Sequence, residues 1–488
     1  MTPSRSEAVR GQRRTSHASL SWFVLIATMW LWSSARAEPA PTVLALRESF
    51  EPAPEFGGVV HVIEAGLTDA PPVVLIHGIG KRAAHDFDAI LPWLSTRHHV
   101  LAFDLPGFGR SSRTPDAYSP ERYVRFLDQL IARHFRGPVA IVGHSMGAAL
   151  AIQLAADHPE RVSRLALLDV AGILHYRAYL LELNAGNPSQ PPGRFKAVWR
   201  GARAAVLRMF SSLESLENLR LDTNAGWRRY LPVKTTTTVA FIEHDFGPAL
   251  RKVHVPTWLG WGRRDRIAPE RTAQLLRFML RPVRDDSFEA SGHAPMRTEP
   301  ELVARSLLGF LAQPLPAARA QASLDIRSNR VGSCSGEEGA VFEGDYMRIE
   351  IRDCKRVLLR KVRTRSLAVE RSSAELQHVE ILGTSVGATF KNARVRWTGG
   401  RIVAPTCIDS QSDELDFAGV SCNASDDALR VHGRGWLHAS ASSLASGSSE
   451  RALHGEYELS PTGDGSTDST DQVTKCRRRL PGPKRCWR

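Results

Sequence analysis

The chain has 488 residues, 42% of them apolar, with six cysteines and a formal net charge of +13. That length predicts two or more domains, and the apolar fraction supplies a sizeable core and excludes global disorder. The basic excess gathers in the first residues (Arg5, Arg10, Arg13, Arg14) and in the final segment KCRRRLPGPKRCWR, not in an aromatic-laced stripe, so the charge argues against nucleic-acid binding.

In chain order, basic residues precede the apolar run Leu20 to Trp32, which is followed by Ala35-Arg36-Ala37. This is the charged region, apolar region and small-residue cleavage pattern of a secretory signal, so residues 1–37 are expected to be a signal peptide and the mature protein periplasmic or secreted. The run is short for a membrane span; an uncleaved anchor is the alternative.

Residues 38–313 alternate short apolar runs with helical patterns. PPVVLIHG, HHVLAFDLPG, GPVAIVGHS, VSRLALLDVAG and VPTWLGWGRRD read as buried parallel strands, with PERYVRFLDQLIARHF and PERTAQLLRFML as helices between them. The alternation implies an α/β fold, a doubly wound, mostly parallel sheet whose ligands bind at the carboxyl ends of the strands. From about 172 to 250 the pattern lapses into a helical insertion, expected to cap the sheet's carboxyl edge. Its basic segment GRFKAVWRGARAAVLRMF is read as a solvated face, with lipid contact as the alternative.

Residues 314–325 read as a linker. Beyond it, residues 326–460 show alternating stretches at a spacing of about twenty, aligned on Val357, Leu376, Val395, Leu415 and Trp436. A C-terminal all-β domain follows, with a β-solenoid preferred over a small sandwich of evenly spaced strands. The last segment, 461–488, is a basic tail closed by cysteines and suited to contact with an anionic envelope or membrane surface. All six cysteines lie in this C-terminal third. In an exported chain they read as disulfides, most simply paired 334–354, 407–422 and 476–486, although fifteen connectivities exist.

The chemistry centres on Ile141 to Gly147, IVGHSMG. A serine between two glycines, at a sharp turn from a buried strand into a helix, is lifted out of the packing and exposed above the sheet. It needs a base to take its proton and a carboxylate to hold that base's tautomer. His293, in SGHAPM, and Asp265, in WGRRDRIAP, each lie on a loop at the same edge of the sheet. Asp169, ending the strand LALLD, is the alternative acid. His77 and His144 read as packing or turn histidines, and Asp104 as a loop brace.

From about 55 to 313 the chain resembles the α/β-hydrolase superfamily, in its serine-esterase and lipase branch with a helical cap. HGIG, DLPGFGRSS, GHSMG, WGRRDRIAP and SGHAPM fall in that family's order. The resemblance implies Ser145 as nucleophile, His293 as general base and acid, Asp265 as the orienting carboxylate, and the backbone N–H groups of Ile79 and Met146 as the oxyanion hole. It also implies a small-molecule or lipid-like ester substrate and no metal or organic cofactor. Serine at the turn argues against the family's dehalogenases and epoxide hydrolases, which use aspartate there. Cleavage of a carbon–carbon bond, perhydrolysis, and an idle hydrolase fold serving a binding solenoid are the alternatives.

Overall fold

A computed structural model describes residues 41–114, 118–185, 232–314, 326–447, 449–461, 472–478 and 484–487. The expected signal peptide, nearly all of the expected linker, the centre of the cap and most of the basic tail lie outside the described residues. Among the described residues no helix is long and apolar enough to cross a membrane.

Eight strands form the first sheet: β1 (Arg47–Ala53), β2 (Gly58–Ala65), β3 (Pro72–Ile76), β4 (His99–Phe103), β5 (Val139–His144), β6 (Val162–Leu168), β7 (Thr257–Gly262) and β8 (Arg284–Phe288). Their order is β1-β2-β4-β3-β5-β6-β7-β8. β1 and β2 run antiparallel at one edge, and β4, β3, β5, β6, β7 and β8 are parallel. Among the described residues the helices are α1 (Leu91–Ser95), α2 (Pro120–His134), α3 (Met146–Asp157), α4 (Tyr176–Ala185), α5 (Val233–Glu243), α6 (Gly247–Lys252), α7 (Glu270–Leu280), α8 (Pro295–Thr298) and α9 (Pro300–Ala312).

The central strands are apolar along most of their length because both faces are covered. Val74, Ile76, Leu101 and Ile141 pack on one side with α2 and α3. Their neighbours Val73, Leu75, Val100 and Val142 pack on the other with α1 and α9. Successive side chains of a strand point to opposite faces, so one continuous apolar run feeds two cores. α2 starts where Ser119 accepts the N–H of Arg122 and Pro120 takes the first helical turn. α3 is buried on nearly every side, which its alanines permit.

The second sheet comprises β9 (Val331–Ser335), β10 (Val341–Arg352), β11 (Val357–Glu370), β12 (Ser373–Leu382), β13 (Val386–Lys391), β14 (Arg394–Gln411), β15 (Glu414–Val431), β16 (Gly435–Ser446), β17 (Ser449–Leu459), β18 (Val473–Arg478) and β19 (Lys484–Trp487). From β9 to β16 neighbouring strands are parallel, with Val357 opposite Ala374, Ala374 opposite Val395, and Val395 opposite Leu415. β16 to β19 then turn back as an antiparallel meander.

The observed register differs from the sequence alignment of the repeats. Leu376 stands opposite Leu359 and Trp397, and the partner of Leu415 is Leu437, not Trp436. A one-residue slip moves a side chain to the other face, and Leu437 is buried where Trp436 is half-buried. The turns between strands vary in length, so an average period does not fix each pair.

Cys334 is bonded to Cys354 and Cys407 to Cys422, as neighbour pairing suggested. Cys476 stands opposite Cys486 in the β18–β19 register. Replacing Cys407 and Cys422 with alanine, which opens a loop of sequence separation 15, is expected to lower stability by about 3 kcal/mol. A denaturant midpoint unchanged from the wild type would show that the stack needs no such clamp.

From residue 42 onward the described residues form one compact unit, and the two sheets share a core. Ala418 of β15 and Ala441 of β16 belong to the same apolar cluster as α2 and α3. α7 lies against β14 and β15 through two left-handed glycines. A Cβ on Gly399 (φ +63°) would stand 2.6 Å from Phe278, and one on Gly419 (φ +66°) would stand 3.0 Å from Leu275. Both glycines therefore serve close approach as well as turn geometry. At the same seam Arg271, 4% exposed, donates to Asp416 at 2.7 and 3.0 Å and to Thr398 at 2.9 Å.

Candidate active site

Ser145 joins β5 to α3 with φ +55° and ψ −118°, a conformation few non-glycine residues adopt. The glycines around it are there for contact. A Cβ on Gly143 would lie 2.5 Å from Ala148, and one on Gly147 would lie 2.1 Å from the carbonyl oxygen of Ile76. A Cβ on Gly78 would lie 2.7 Å from that of Ser145, so the HGIG loop rests directly against the serine. Ile79 follows Gly78 in that loop, as Met146 follows Ser145. Met146 opens α3, where the first amides have no partner within the helix.

Asp265 follows β7 and His293 follows β8, so parallel topology delivers both to the edge where β5 ends. His293 Nε2 lies 2.9 Å from Ser145 Oγ, and its Nδ1 lies 2.7 Å from Asp265 Oδ2. The Asp265 side chain is 1% exposed, and its other oxygen accepts the N–H groups of Ile267 (2.7 Å) and Ala268 (3.1 Å). Three residues from distant parts of the sequence therefore meet in one hydrogen-bonded chain. Chemically, it can draw a proton from the hydroxyl to the ring and hold the ring in one tautomer.

Asp169 does not receive the ring N–H, although it lies nearby. It is fully buried at φ +44°, and its Oδ1 accepts the N–H of Gly262 at 2.8 Å. His144 does more than fill a turn. Its Nε2 lies 2.5 Å from the carbonyl oxygen of His293, pinning the loop that carries that ring. Burial pushes its pKa down to about 3, and the nearby His293 ring acts in the same direction, so His144 is a neutral donor. His77 donates from Nδ1 to the Gly78 carbonyl at 2.7 Å and accepts the Leu105 N–H at Nε2, 2.8 Å away. Burial lowers its pKa to about 4, and the neutral ring holds HGIG in place. Glycine neighbours were the only sequence signal for either role. Asp104 braces loops, accepting from Ala84, Arg110 and His61.

Among the described residues, two clusters gather potential metal ligands: His144, Asp169 and His293, and Glu51, Glu64 and His134 on the antiparallel edge. In the first, both ring nitrogens of His293 and Nε2 of His144 are engaged in hydrogen bonds. In the second, His134 bridges the two glutamates.

Known proteins match this part of the chain. The family model described as alpha/beta hydrolase fold covers residues 71–300. The 2-hydroxy-6-oxo-6-(2'-aminophenyl)hexa-2,4-dienoic acid hydrolase of Metapseudomonas resinovorans is 28% identical over 281 residues, which span 54% of this chain and 92% of the relative. The pimeloyl-[acyl-carrier protein] methyl ester esterase of Neisseria meningitidis is 30% identical over 249 residues, 49% of this chain and 93% of the relative. Among solved structures, a membrane phospholipase A described as a bacterial virulence factor aligns at 27% identity and a TM-score of 0.40, covering 59% of this chain and 91% of that one. The chain belongs to the α/β-hydrolase fold family.

Proposed function

We propose that this chain is an exported serine hydrolase that cleaves carboxylic esters through Ser145, His293 and Asp265. The observation that carries the proposal is the pair of contacts made by one ring, 2.9 Å to the hydroxyl and 2.7 Å to a buried carboxylate. On this reading Ser145 attacks the ester carbonyl while His293 takes the hydroxyl proton. The oxyanion that forms is met by the N–H groups of Ile79 and Met146, donors worth about 3 kcal/mol each in comparable sites. His293 then gives its proton to the leaving alcohol. Water, activated by the same ring, releases the acid from the acyl-enzyme.

The esterase relative supports the ester class, and the dienoic acid hydrolase relative supports carbon–carbon cleavage as the second reading. The parallel ladder with register offsets near twenty supports a β-solenoid as the second architecture, stiffened by cross-strand disulfides. Those bonds also favour an oxidising, extracytoplasmic compartment, in keeping with the leading segment. The basic tail is proposed to contact an anionic envelope surface.

A fluorophosphonate probe should label the wild type and fail to label Ser145→Ala. p-Nitrophenyl esters of graded chain length should be turned over faster than a 2-hydroxy-6-oxo-dienoic acid. Labelling with the reverse substrate preference would move the assignment to carbon–carbon hydrolysis, and no labelling of folded protein would remove the enzyme proposal.

A further inference from the structure

Behind the His293–Asp265 contact lies a second carboxyl that the mechanism above does not use. Asp169 is fully buried and follows directly on Leu168, whose carbonyl accepts the N–H of Ser145 at 2.9 Å. Its Oδ1 accepts the N–H of Gly262 at the end of β7. Its Oδ2 is also buried and meets no donor. Both carboxyls lie beside one ring: a ring nitrogen of His293 is within 4.8 Å of Asp169, and its Nδ1 is 2.7 Å from Asp265 Oδ2. Other titratable groups lie close to the pair. His144 (end of β5) and His293 (after β8) have ring nitrogens within 4.8 Å of Asp169, and Tyr179 of α4 lies near enough to Asp265 to feel its charge. Among these groups no cation is paired with Asp169.

Two ionised carboxylates beside one ring, one with a bare buried oxygen, would combine like-charge repulsion with an unmet acceptor. One proton removes both problems, because it turns the orphaned acceptor into a donor with a carboxylate close by. Asp265 has room for it. Its oxygens take two backbone N–H groups and the ring N–H, and a carboxylate offers about four lone-pair sites.

We propose that Asp169 carries a proton on Oδ2 and donates it to Asp265, so that an acid–carboxylate pair with one negative charge, not Asp265 alone, orients His293. Burial first, and then the charge of Asp265, push the Asp169 pKa well above the ordinary carboxylate range, in keeping with this assignment. Asp169 is thus a positioning residue acting through Asp265. The inference rests on the Ser145–His293–Asp265 reading for its consequence, but not for the proton itself.

Infrared difference spectroscopy reads the proton directly. The wild type at pH 7 should show a protonated-carboxyl C=O band that is absent in Asp169→Asn and displaced in Asp265→Asn, where its acceptor changes. In ester turnover Asp169→Ala should lower kcat about tenfold or more with KM little changed. Asp169→Asn, which keeps a donor and adds no charge, should recover most of that loss. It should also leave the acidic limb of the kcat/KM profile within about 0.3 unit of the wild type. Were Asp169 ionised, the amide would remove a negative charge beside His293 and draw that limb down by more than about 0.5 unit. A wild-type spectrum without the band at pH 7 overturns the inference, whatever the variants do. Fluorophosphonate labelling of Ser145 tests the catalytic reading separately.

Discussion

Replacing Ser145 with alanine is expected to lower kcat for ester hydrolysis by about six orders of magnitude, the size of such a loss in an unrelated serine protease. In free energy that is about 8 kcal/mol. His293→Ala should cost as much, and the double variant little more. Neither group has a task without the other, since the hydroxyl is a poor nucleophile until the ring 2.9 Å away takes its proton. Asp265→Asn should cost about 10⁴-fold, because the amide can present an N–H where the ring needs an acceptor and so favours the wrong tautomer. Thermal melting should be nearly unchanged in Ser145→Ala, which removes one small oxygen and relieves no packing. The decisive measurement is kcat for a p-nitrophenyl ester in protein free of wild-type carry-over. Serine and histidine variants that each kept a few per cent of activity would show that the chain of contacts does not carry the reaction.

The second large effect is expected far from the serine. Arg271→Ala should destabilise the protein by about 3–5 kcal/mol, because it strands buried charge at the seam between the two sheets. Burial pushes the Asp416 carboxyl toward the neutral form, but the charge and hydrogen bonds of Arg271, helped by Arg396, outweigh it and hold its pKa below the ordinary value. The sign for stability follows. The contribution of this pair is present above the unfolded-state pKa of about 3.9 and fades as pH falls toward the lower folded value. Acid unfolding of the wild type should therefore carry this pair's signature, and the variant should lack it.

Replacing both partners with apolar residues, Arg271→Met with Asp416→Leu, should recover most of the stability, since such pairs cost heavily to desolvate. The pair also bears on activity. α7 opens five residues after Asp265, whose Oδ1 ties down the amides of Ile267 and Ala268. Loosening α7 should lower kcat more than it raises KM. Denaturant titration of the three variants checks the energetics. An Arg271→Ala protein as stable as the wild type would mean that water reaches the seam.

What the sequence determined about this protein is what short-range chemistry encodes. The apolar runs in β3, β4 and β5 announce strands covered on both faces. The glycines around Ser145 announce a turn too tight for a Cβ, and the order of Ser145, Asp265 and His293 along alternating strands and helices announces that they share an edge. A twenty-residue rhythm announced stacked strands, but not which residues face each other. The pairing of Leu415 with Leu437 depends on the length of each turn.

Only the tertiary structure decided the remaining features, because each depends on atoms far apart in the chain. His144 looks like a turn residue until its ring meets the carbonyl of His293, 149 positions away. Asp169 and Asp265 look like rival acids until the fold gives the ring of His293 to Asp265 and the N–H of Gly262 to Asp169. The close approach at Gly399 and Gly419 and the burial of Arg271 arise only because α7 is laid across β14 and β15. Local patterns set what each segment can become, whereas burial and contact across the seam set which protons, charges and partners each side chain has.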